Sequence, residues 1–191
     1  MRIFQLVLIL SLSFTSQTWA SKPKSSKVKS SSSIALKNYR ELFGALTVAT
    51  RVDPTLPEIA NYYQQVIGQL PRYGTLVEFN AQSLIASMGL AGVFCKRVIY
   101  QDAELNVPKS GLNTGIDFTK DSTKVTDAAL ATLIKNYSSA FLQRDPTATE
   151  QTMLSGIFRN LGAADPTAAG TRAAVLSVCS GIAGSFEFLA N

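Results

Sequence analysis

Leu84–Cys95 reads LIASMGLAGVFC, twelve residues without a single charge. The run is shorter than the roughly 20 apolar residues of a bilayer span, so it predicts a core helix buried on nearly every side. Ser87, Ala91 and Cys95 form a line of small residues at four-residue spacing. A second such line, Val175, Cys179 and Ala183, lies near the end of the chain beside Gly181 and Gly184. Two small-residue faces can approach each other closely, and each carries one of the chain's two cysteines. Two readings of the pair stand open: a Cys95–Cys179 disulfide joining the helices, or two buried thiols acting as small apolar side chains.

Working outward, the rest of the chain from Ile34 shows the same periodicity. Ile34, Leu36, Tyr39, Leu42, Phe43, Leu46 and Ala49 recur at three- and four-residue steps, until Asp53-Pro54 stops the helix. Further helices are expected over Leu56–Gln69, Leu76–Tyr100, Val125–Gln143, Ala148–Leu161 and Ala168–Leu189. Thr55 with Glu58, Thr75 with Glu78, and Thr147 with Glu150 each match a capping box, in which the Thr oxygen and the Glu satisfy each other's backbone N–H groups. Asp-Pro-Thr occurs three times, led by Asp53, Asp145 and Asp165, at spacings that fit no solenoid period. The expected fold is all-α, a single-domain bundle of about six helices over residues 34–191.

Apolar residues make up 46% of the 191 residues and charged ones only 16%, enough apolar surface for a core. Histidine is absent. That removes Ser-His-Asp and Cys-His nucleophiles, His-ligated zinc and covalent c-type haem. Two cysteines are too few for all-thiolate metal sites. No cofactor or metal is expected.

The first residues form an address. Met1-Arg2 is positive, Ile3–Phe14 (IFQLVLILSLSF) is apolar, and Thr15–Ala20 (TSQTWA) is polar and ends in a small residue. This order describes a secretory signal peptide over residues 1–20, cleaved after Ala20. The expected location is periplasmic or secreted, with no transmembrane span in the mature chain. Residues 21–33 (SKPKSSKVKSSSS) have nothing to bury and read as a flexible Ser/Lys tether. Its Lys22, Lys24, Lys27 and Lys29, with Arg2, account for the whole net charge of +5, leaving 13 basic and 13 acidic residues from Ile34 onward. A basic-domain argument for specific nucleic-acid binding therefore fails. The four lysines suit weak, salt-sensitive contact with an anionic surface, or simply a solubilising spacer.

Residues 101–124 lack helical spacing, and a loop of that length in a compact domain is usually functional or disordered. Asp117, Thr119 and Asp121 space their oxygens as a calcium loop does. The central Gly is missing, however, and Ala128 stands where the closing Glu belongs. Carboxylates elsewhere stand singly, at Glu41, Glu58, Glu78, Glu150 and Glu187, and only Glu41 with Glu78 is left as a pair for acid–base hydrolysis. Tyr62, Tyr63, Tyr73 and Tyr100 suit core or rim packing better than a sugar-binding surface. Asn136-Tyr137-Ser138 matches a glycosylation sequon inside an expected helix.

Ala140–Glu150 (AFLQRDPTATE) resembles the helical joints in secreted bacterial domains of the planctomycete cytochrome-associated type. Ala174–Leu189, with its Cys and Ser-Phe-Glu-Phe-Leu ending, is similar to their closing helix. The resemblance implies an all-helical exported domain with a haem partner domain elsewhere, and it transfers no site residues. The function expected is that of a non-enzymatic exported domain binding another envelope or extracellular component. The alternatives are a carrier of small apolar ligands or lipids, and a carboxylate-based cell-wall hydrolase.

Overall fold

A computed structural model describes residues 36–73, 80–105 and 110–190. The expected signal peptide and tether, with Lys22, Lys24, Lys27 and Lys29, lie outside the described residues, as do Thr75 and Glu78. The described residues form seven helices: α1 Tyr39–Thr50, α2 Pro57–Val66, α3 Ala81–Leu105, α4 Asp127–Leu142, α5 Ala148–Ala164, α6 Ala168–Ala183 and α7 Phe186–Leu189. A 3-10 turn at Ser122–Lys124 precedes α4. Among them no strand forms; an isolated antiparallel bridge joins Leu36 to Ala190.

The helix starts follow local chemistry. Thr147 accepts from the Glu150 N–H while the Glu150 carboxylate accepts from the Thr147 N–H, so this capping box forms as expected. The Thr55–Glu58 box does not. Pro57 occupies the first turn of α2, Leu56 stands at the cap position, and Thr55 turns its N–H and hydroxyl onto Asp53. The first helix starts later than expected because Asn38 and Glu41 make their own capping box, and the chain before it is drawn to Ala190. Asn80 caps α3 by accepting from the Ser83 N–H. The expected single last helix breaks at Gly184, and Ser185 caps a new turn, α7.

The core runs through α6, which packs most extensively on α5 and α3. Leu46, Ile59, Phe94, Leu133, Tyr137, Phe158 and Val175 are fully buried in one cluster. The two small-residue lines meet there: Ser87, Ala91 and Cys95 against Val175, Cys179 and Ala183, all buried. They bring the cysteine Cα atoms to 5.9 Å, and Cys95 and Cys179 are disulfide-bonded. At the turn into α6 the backbone comes so close that a Cβ on Gly170 would lie 1.8 Å from the Asp165 carbonyl oxygen.

The expectation that Leu84–Cys95 is covered on nearly every side needs correction. Ile85 and Met88 are exposed at 69% and 46%. The reason is position: the run sits toward the outside of the bundle, so only the faces toward α6, α2 and α1 are enclosed. By length and composition Ala81–Glu104 is apolar enough to cross a membrane: its most apolar 18 residues have a mean hydropathy of 1.3, and half of them are buried inside the fold.

Candidate functional site

Three polar clusters differ in how fully they are satisfied. The first joins Arg144, in the turn after α4, to Glu150 and Glu187. Its guanidinium donates to both Glu150 oxygens at 2.6 and 2.8 Å, and to both Glu187 oxygens at 2.5 and 2.7 Å. The paired guanidinium, with the Thr147 N–H, holds the Glu150 carboxyl down at about 2, and Glu187 is lowered for the same first reason. Every edge of the fork is used. This is a structural clasp between the α4–α5 turn and α7.

The second cluster ties α3 and α4 to residues 110–113, and α3 runs on to Leu105 where the sequence spacing predicts the long loop to have begun. Asp102, near the end of α3, accepts from the Ser110 hydroxyl at 2.9 Å and the Asn113 amide at 3.0 Å. Tyr137 of α4 donates its hydroxyl to Asn113 Oδ1 at 2.7 Å. Burial pushes the Tyr137 phenol up, so it remains a donor. Asn136 adds its amide to the Gly111 and Leu112 carbonyls at 3.2 and 3.4 Å. Part of the loop is thereby pinned to the bundle. Further along, Asp117 takes the Thr119 hydroxyl and N–H and the Lys120 ammonium, which hold its carboxyl near 2. Asp121 caps the 3-10 turn. These oxygens serve turns, and among the described residues no group of three or more acidic or cysteine side chains is placed to hold a metal ion.

The third cluster is open. Val93, Lys96, Arg97, Tyr100 and Glu104 succeed one another on the outer face of α3 at helical spacing. With Glu58 from the first turn of α2 they line a groove of about 370 Å³. Arg97 Nη1 lies 3.6 Å from Glu58 Oε1, an ion pair too long for a hydrogen bond. Arg97 Nε is buried and finds no acceptor among the described residues. Lys96 Nζ sits 5.7 Å from the Tyr100 ring centroid, and that ring is 44% exposed. A smaller hollow of about 150 Å³, lined by Ile99, Arg172 and Leu176, lies on the other side of Lys96 and Tyr100. The two side chains thus form a cationic and aromatic ridge between two depressions.

Comparison with protein-family models, with curated proteins and with solved structures returns no match. The site rests on its geometry. The structure brings Cys95 and Cys179 together as one reading of the sequence held. It separates the tyrosines: Tyr63, half-buried, packs against the core with its ring tilted on Phe43 at 4.2 Å, whereas Tyr73 and Tyr100 are exposed. Of the two carboxylates left over for hydrolysis, Glu41 is occupied by the Asn38 cap. Lys96, Arg97 and Glu104 were not singled out from the sequence, although their spacing beside Tyr100 was visible. Glu58 matches a capping box in the sequence, but Pro57 sets the start of α2 differently and Glu58 lines the groove instead.

Proposed function

We propose that this protein is an exported, non-enzymatic helical domain that binds another envelope or extracellular component through the outer face of α3. The observation that carries the reading is the open groove of about 370 Å³ on α3, where Lys96 and Arg97 stand beside an exposed tyrosine, Tyr100. An exposed aromatic next to cations is the composition favoured at binding hot spots. Export is supported by the signal-like start and agrees with a disulfide. Residues 21–33 would link the domain to its surroundings, with Lys22, Lys24, Lys27 and Lys29 adding weak contact to anionic surfaces.

The rival readings have less to draw on. A carrier would need space between α3 and α6, where the small residues are already used in close packing. A hydrolase would need Glu41, which the α1 cap engages. The test is co-purification from the protein's own envelope at low and high salt, with wild type, Lys96→Glu and Tyr100→Ala. A stoichiometric partner retained at high salt by wild type and lost with both variants is the expected result. Equal capture by all three would remove the groove from the proposal. Capture that follows salt and residues 21–33 alone would assign binding to the tether.

A further inference from the structure

On the outer face of α3, Lys96, Tyr100 and Glu104 are exposed and follow one another four residues apart. Each such step advances about 6 Å and keeps nearly the same side of the helix, so cation, ring and carboxylate stand in one row about 12 Å long. The row is symmetric in position and opposite in charge about Tyr100. Lys96 Nζ sits over its own Tyr100 ring, and neither Lys96 nor Glu104 has an ion-pair partner among the described residues. The other charges of the groove, Arg97 and Glu58, already pair with each other and add no net charge beside the row. A face that a two-fold axis joins to its own copy must be its own complement, residue i meeting j while j meets i. This row meets that condition in one orientation. Antiparallel, with the axis at Tyr100, Lys96 of each copy faces Glu104 of the other. Parallel, lysine faces lysine and glutamate faces glutamate, which repel.

We propose that the occupant of this face is a second copy of this chain, whose α3 lies antiparallel across the first. The inference rests on the reading of the groove as a binding surface and names its partner. Shape agrees with charge. Lys96 and Tyr100 stand as a ridge between hollows of about 370 and 150 Å³, and the ridge of one helix seats in the groove of its neighbour. An unrelated ligand requires only the charges it meets, and gives no reason for the row to mirror itself about one residue. In the pair the two Tyr100 rings cover each other at the axis, flanked by two Lys96–Glu104 ion pairs. A row of this length on one helix falls below the roughly 800 Å² per partner of a standard interface, so the dimer is weak and reversible.

Sedimentation equilibrium of the purified protein, from about 10 μM to about 1 mM, covers the range of weak complexes. Wild type passes from monomer toward dimer within that range. Lys96→Glu and Glu104→Lys each place like charges at both contacts, and each raises the dissociation constant at least about tenfold with an unchanged circular dichroism spectrum. An equimolar mixture of the two variants recovers the wild-type affinity as a mixed dimer. The double variant Lys96→Glu/Glu104→Lys recovers it as a dimer of one kind, which a parallel arrangement would not allow. Wild type still monomeric at about 1 mM overturns the inference. So does a dimer that the single variants leave unchanged, or one that the folded double variant fails to recover. If the chain stays monomeric while an envelope protein is still captured in a Tyr100-dependent way, self-pairing is wrong and the binding-domain reading stands. If capture also ignores Tyr100, both fall.

Discussion

Replacing Tyr137 with Phe removes one buried oxygen and little else. The ring is fully enclosed and stacks against Phe141 with centroids 6.2 Å apart, so its packing stays the same. The hydroxyl donates to Asn113 Oδ1 at 2.7 Å, and Asn113 is itself 0% exposed. Its loss removes a hydrogen bond and leaves a buried amide oxygen without that donor, which costs about 1–3 kcal/mol. Taking about 2 kcal/mol, a domain of this size should melt roughly 4–8 °C lower. Urea unfolding of wild type, Tyr137→Phe, Asn113→Ala and the double variant measures the effect and its origin. The expected midpoint falls in each single variant, and the two losses add to more than the double variant shows. A Tyr137→Phe protein within about 0.5 kcal/mol of wild type would refute the reasoning. So would an undiminished Tyr137→Phe effect in the Asn113→Ala background, because the hydroxyl would then act through something else.

The disulfide closes 84 residues, which on the chain-entropy estimate stabilises by about 4.5 kcal/mol. A Cys95→Ala/Cys179→Ala chain should show a much lower urea midpoint, and an unchanged midpoint would mean the bond adds nothing to packing already present. The Arg144 clasp sets an acid limit. Glu150 and Glu187 have folded-state values below their ordinary ones, so their contribution is present above about 4.5 and is lost as pH falls below it, for Glu150 as pH approaches about 2. Melting curves between pH 6 and about 2 should therefore fall less steeply for Arg144→Ala than for wild type, and equal slopes would contradict the clasp.

What the sequence made visible were features that act locally or by repetition. The stripes of α1, α4 and α6 announce themselves because burial on one helical face imposes a period, and the Thr147–Glu150 cap needs only its own four residues. The small-residue lines at Ser87–Cys95 and Val175–Ala183 were legible for the same reason, since close helix approach requires small side chains at each turn. Partnerships across the chain were not legible. Asn113 reads as a turn residue, and only the fold reveals it buried between Asp102 and Tyr137. Arg144 looks like ordinary punctuation after α4 until Glu187 arrives from 43 residues away. Glu58 illustrates a competition between local rules: its capping role was plausible, yet Pro57 and the Asp53–Thr55 turn set the helix start differently and freed the carboxylate for the groove.

The pairing of Leu36 with Ala190, reinforced by the Lys37 N–H on the Leu189 carbonyl at 2.8 Å, bears on how the domain answers mechanical load. Tension applied at these two neighbouring points unzips the pair one bond at a time and peels α1 and α7 from the bundle. The pull then reaches Cys95 and Cys179 and stops, because the residues between them hang slack inside a covalent loop. A stretched molecule would yield at its periphery, reach a hard limit, and keep α4 and α5 folded in reserve as the template on which the rest closes again.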